Sequence, residues 1–68
     1  MMTRHFAEAV IRKGWKPYIR TYWLDLRRQR GGVILTFVGH EQHEYKCSRA
    51  TATELLTMWE REQARIRA

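Results

Sequence analysis

Between Gly31-Gly32 and Gly39 the chain runs Val-Ile-Leu-Thr-Phe-Val, residues 33–38, the one nearly continuous apolar and β-branched stretch in the sequence. Six residues are too few for a stable helix, and the composition suits a pleated surface buried on at least one side. The spacing predicts a strand over Val33–Val38 with Val33, Leu35 and Phe37 sharing one face. A strand of this kind belongs at the centre of a sheet, so the chain has to supply strands on either side of it.

Tyr18–Arg28 supplies the first. Its periodicity fits either a helix gathering Tyr18, Ile19, Tyr22, Trp23 and Leu26 or a strand with Tyr18, Tyr22, Leu24 and Leu26 on one face. The Thr, Tyr, Trp and Ile content and the lack of a helix cap at Lys16 favour the strand, with Arg20 as the misfit on the apolar side. Ile19, Thr21, Trp23, Asp25 and Arg27 would then occupy the other face. The intervening Arg28-Gln29-Arg30-Gly31-Gly32 reads as a hairpin loop whose glycines take positive φ. After a turn at Gly39–Gln42, His43, Tyr45 and Cys47 alternate with Glu44 and Lys46 in a short edge strand, where the charges discourage pairing with other molecules.

Helices flank this meander. Thr3 is a good N-cap, Phe6 and Val10 recur at helical spacing, and Lys13-Gly14 with Pro17 beyond ends the run, which predicts a helix over Thr3–Lys13 with Phe6 and Val10 on the core. Thr51-Ala-Thr-Glu54 matches a capping box. Ala52, Leu55, Leu56, Trp59, Gln63 and Ile66 follow at helical intervals, with Trp59 expected to bury the most surface and Glu60, Arg61, Glu62 and Arg65 to face solvent. The predicted fold is α+β, a small two-layer sandwich of helix, three-stranded antiparallel meander and helix (αβββα), with both helices on one face. Residues 1–68 make a single domain on this reading, near the lower size for one core without disulfides or metal.

Cys47 is the sole cysteine, so no internal disulfide is available, which suits a cytoplasmic protein. No stretch is long and apolar enough to be a signal-peptide core or a membrane span. His40, His43 and Cys47 form the only candidate metal cluster, with Glu41 or Glu44 as the fourth ligand. On an extended strand His43 and Cys47 would lie about 13 Å apart, too far to share an ion, so no metal and no cofactor is expected. Ser48, His43 and Asp25 show no nucleophile-elbow, phosphate-loop or paired-carboxylate spacing, and the chain is read as non-enzymatic.

The formal charge of +6 is unevenly spread. Residues 1–40 hold eight Lys and Arg against Glu8 and Asp25, whereas residues 41–68 balance. Arg12, Lys13 and Lys16 crowd the end of the first helix, while Arg27, Arg28 and Arg30 crowd the hairpin, with Arg20 between them. Guanidinium forks suit phosphate, and an exposed Trp15 or Trp23 offers a surface for base stacking, with Tyr18 and Tyr22 expected toward the core. Arg12, Lys13, Lys16, Arg20, Trp23, Arg27, Arg28 and Arg30 are therefore the candidate contacts to nucleic acid, DNA or RNA, with low sequence specificity. The alternative is a protein-interaction module or inhibitor using the same surface on an acidic protein, as a monomer or homodimer.

The helix, three strands, helix order resembles double-stranded-RNA-binding domains, and Pro17-Tyr18, Phe37 and Ser48-Arg49 resemble positions of that family. Its lysine cluster at the start of the second helix is missing, only Arg49 being basic there, so the resemblance implies no phosphate contact on that helix. The small single-core chain also resembles accessory proteins of phages and mobile elements.

Overall fold

The computed structural model describes residues 2–67. Its elements run α1 (Arg4–Arg12), β1 (Pro17–Asp25), β2 (Arg30–Phe37), β3 (Tyr45–Cys47) and α2 (Arg49–Arg67). The three strands form one antiparallel sheet in the order β1-β2-β3, so Val33–Phe37 lies in the central strand as expected. Val33, Leu35 and Phe37 are fully buried against Ala7, Val10 and Ile11 of α1 and Ala52 and Leu55 of α2. Both helices therefore cover the same face of the sheet.

Helix α1 starts where Thr3 predicts. Its Oγ1 accepts the backbone N–H of Phe6 at 3.2 Å. The helix stops at Lys13 because Gly14 adopts φ +104°, a conformation that a side chain would oppose. The buried stripe is Ala7, Val10 and Ile11 rather than Phe6 and Val10, and Phe6 remains 42% exposed. Positions 7, 10 and 11 follow the i, i+3, i+4 rule. Phe6 lies one position off that stripe and leans on the His43 ring, with centroids 5.8 Å apart.

Strand β1 contains a break in register. Ile19 faces Leu35 but Thr21 faces Ile34, so Arg20 is an extra residue, a β-bulge. The bulge corrects the expected face assignment. Before it, Tyr18 faces Thr36 on the open side of the sheet; after it, Tyr22 faces Val33 on the helix side. Tyr18, Tyr22 and Leu24 therefore do not share a face, and the misfit at Arg20 is where the alternation restarts. Neither tyrosine enters the core.

The strand ends at Asp25 rather than Arg28, and the hairpin is made differently from expectation. Asp25 Oδ1 accepts the backbone N–H groups of Arg27 (3.1 Å) and Arg28 (3.3 Å), a local turn held by the carboxylate. Gln29, with φ +49°, takes the left-handed conformation, while Gly31 and Gly32 lie within β2. At the far end of β2, the buried Thr36 hydroxyl donates to the His43 carbonyl at 2.8 Å, with the Glu41 carbonyl at 3.3 Å. This pins the loop leading into β3, which is shorter than expected because it begins only at Tyr45.

Helix α2 is capped by Ser48, not by a Thr51–Glu54 box. Ser48 Oγ accepts the Thr51 backbone N–H at 3.1 Å, and the Ala52 N–H bonds the Ser48 carbonyl. Glu54 instead pairs with Arg4 of α1 at 2.7 Å. The expected stripe holds through Trp59, which is only half-buried, whereas Leu55 is fully buried. Beyond Trp59 no core residue among the described residues lies beneath the helix, and Ile66 is exposed. The overhang contributes to a long axis of 46 Å.

Because the cap is Ser48, Ser48→Ala should lower stability by about 1 kcal/mol in urea denaturation. Glu54→Ala removes only an exposed ion pair and should lower it by much less.

Candidate nucleic-acid interface

The hairpin carries the densest charge. Arg27, Arg28 and Arg30 are all exposed, and the nearest carboxylate, Asp25, already accepts two backbone hydrogen bonds. Arg28 Nε reaches Asp25 Oδ2 only at 4.0 Å, and among the described residues Arg27 and Arg30 have no ion-pair partner. Leu26, at the start of the turn, is exposed as well. The turn presents forked donors on a backbone that Asp25 holds in shape.

At the other end of β1 sit Arg12, Lys13 and Lys16. Arg12 lies 3.7 Å from Glu8, Lys13 is the exposed residue that caps the end of α1, and Lys16 Nζ lies 5.4 Å from the Trp59 ring centroid. Eight strand steps from Pro17 to Asp25 at ~3.3 Å separate this group from the hairpin by roughly 25 Å. The fold therefore does not merge the predicted cations into one cluster. It sets them at the two ends of a strand.

Between them is the open face of the sheet. Arg20 leaves the bulge to pair with Glu44 across the sheet. The Tyr18 hydroxyl donates to Glu41 at 3.3 Å, and burial, reinforced by that carboxylate, raises its phenol above the ordinary value. Trp23 faces Gly32 on this side and crosses β2 to donate its indole N–H to the Cys47 carbonyl at 3.3 Å. Gly32 makes room for it: a Cβ there would sit 2.1 Å from the Cys47 oxygen and 2.9 Å from the indole nitrogen. Lys46 Nζ lies 4.4 Å from the Trp23 centroid. Sequence reasoning named Trp23 but not Lys46, although the alternation of β3 already sets Lys46 opposite Tyr45 and Cys47. Arg49, also not named, lies 5.5 Å from the Tyr22 ring on the helix side.

Trp15 is not a free stacking surface. It packs edge-on against Phe37 at 5.8 Å and stacks on His40, with centroids 3.5 Å apart and planes within 3°. His43 packs between Phe6 and Trp15. The two histidines belong to an aromatic cluster while Cys47 lies in the core, and among the described residues no three His, Cys, Asp or Glu converge on a point. No helix among the described residues is long and apolar enough to cross a membrane. Comparison with protein-family models, with curated proteins and with solved structures finds no match to this chain.

Gly32→Ala should cost about 2 kcal/mol or more in denaturant unfolding, because neither backbone nor indole can move away without breaking the Trp23 hydrogen bond. Burial raises the Cys47 thiol above its ordinary value of 9.0, against a smaller opposing effect of Arg4. The folded chain thus holds this proton more tightly than the unfolded chain, and stability should fall as pH rises above about 9. Cys47→Ala should flatten that part of the stability–pH curve.

Proposed function

We propose that this chain is a non-enzymatic nucleic-acid-binding protein that contacts phosphates, with low sequence specificity, through the arginine turn of its β1–β2 hairpin. The observation that carries this reading is that Arg27, Arg28 and Arg30 stand exposed on a turn whose single carboxylate is engaged by backbone N–H groups. Among the described residues Arg27 and Arg30 have no ion-pair partner and Arg28 only a distant one, which leaves charge for an outside partner. A turn already held in shape loses less loop entropy on binding, which favours a phosphate clamp.

Arg12, Lys13 and Lys16 form a second anchor. At roughly 25 Å from the first, it corresponds to about seven steps of ~3.4 Å along one strand of a duplex. Contacts of this type count charges rather than read bases, which gives affinity without sequence preference. Trp23 and Lys46 on the open face add an aromatic surface with a cation beside it.

Fluorescence anisotropy with labelled duplex DNA, duplex RNA and single strands, over a range of salt, tests the reading. Arg27→Ala with Arg28→Ala should weaken binding to all sequences alike and lower the magnitude of the log–log salt slope by about 2. Absence of salt-sensitive binding to any nucleic acid at micromolar protein would sink it. Recovery of one acidic protein after nuclease treatment, lost in the same double variant, would move the turn to a protein partner.

A further inference from the structure

The free edge of β1 is long, apolar on one side and unpaired. The Val38 N–H donates to the Lys16 carbonyl at 3.0 Å, which fixes the alternation of the β1–β2 ladder. Through the bulge, Tyr18, Thr21, Trp23 and Asp25 direct their backbone groups toward β2, and Ile19, Tyr22 and Leu24 direct theirs outward. Those outward positions also carry exposed apolar side chains on the helix side: Ile19 39%, Tyr22 62% and Leu24 71%, with Leu26 at 78% where the strand gives way to the turn. The small groove beside them, lined by Ile19, Tyr22, Val33, Arg49, Ala52 and Thr53, is what α2 leaves uncovered. An unpaired ladder flanked by apolar side chains accepts an extended strand.

We infer that the strand it accepts is β1 of a second copy, paired antiparallel about a two-fold axis at Trp23, so that two sheets join into one of six strands. The pattern of β1 is self-complementary in this register. On the helix side Tyr22 meets Leu24 of the second copy in two symmetric pairs, and Ile19 lies toward its Leu26 where that strand gives way to the turn. On the open side the two Trp23 backbones stand opposite each other, while each indole points away from the seam over its own Gly32. Asp25, the one acidic residue of β1, stands opposite Thr21 of the second copy, and its carboxylate stays with its own turn, so no unpaired charge is brought to the seam. A shift of register by one residue would set outward-facing backbone groups of one copy against inward-facing groups of the other and leave the new ladder unmade. The hairpin turns then emerge at opposite ends of the joined sheet, which doubles the number of arginine turns in the assembly without obstructing either.

The bulge and Arg20 limit the pairing to the Ile19–Leu26 stretch, so the association is of moderate strength. Sedimentation equilibrium of protein freed of nucleic acid, verified by its absorbance ratio, should give a mass rising toward twice the 8.3 kDa of one chain as concentration increases. The midpoint should lie at roughly 10–100 µM, as befits an interface at the small end of the usual range. Leu24→Lys, which places a cation against Tyr22 of the second copy, should raise the dissociation constant by about tenfold or more. Leu24→Pro removes an outward N–H and no bond to β2, and should do the same. Both variants should keep the circular dichroism of the parent, and if the proline variant unfolds, the lysine variant alone decides. A single-chain mass at every concentration up to about 1 mM, or a dimer that both variants leave intact, overturns the inference. Either result leaves the phosphate-binding reading of the turn standing on its own test.

Discussion

Burial of one face of β2 holds this chain together. Val33, Leu35 and Phe37 lose all contact with water beneath Ile11 and Leu55, each contributing about 1.5–3 kcal/mol of transfer free energy. In so short a chain few other groups can offset the ordering entropy. Everything else is positioned by that layer. Helix α1 needs it because nine residues do not persist alone, and α2 is packed only as far as the layer extends. The two edge strands acquire their faces from the strand they pair with.

The second constraint is the bulge at Arg20. It advances β1 by one residue against β2, so two tyrosines four positions apart point to opposite sides. It also brings Trp23 over Gly32, where the absence of a side chain lets the indole cross the central strand and bond the Cys47 carbonyl. The three strands are thereby tied on their open face by one side chain as well as by the ladder. The bonds of Arg20 to Glu44 and Tyr18 to Glu41 add to the same face at its other end, though both are exposed and contribute little individually.

These constraints give charge and apolar surface separate places. The cations of the turn stand on a backbone fixed by Asp25, while Ile19, Tyr22 and Leu24 of β1 stay exposed at the edge of the sheet although α2 packs on both β1 and β2. The two proposed partners, a polyanion and a second sheet edge, would therefore address different parts of the same hairpin, its tip and its flank. The resemblance to double-stranded-RNA-binding domains extends to element order, which the structure shares. It does not extend to the helix-borne cations, since Arg49 at the start of α2 lies over Tyr22.

The sequence alone determined the element order, the central strand and the paired burial of Val33, Leu35 and Phe37, because period and β-branched content are local and the glycines bracket the run. It also determined the Thr3 cap and the charge asymmetry. What only the tertiary structure decided was how β1 sits on β2. A bulge adds no residue type and leaves no trace in composition; it arises when Ile19 and Tyr22 both turn to the helix side with an even number of residues between them. The same holds for the cap of α2, where Ser48 and Thr51 both satisfy the local rule and the end of β3 at Cys47 selects the former. The glycines at 31 and 32 read as turn residues, yet one of them is there because an indole passes over it, and a contact between strands cannot be read from the residues on either side.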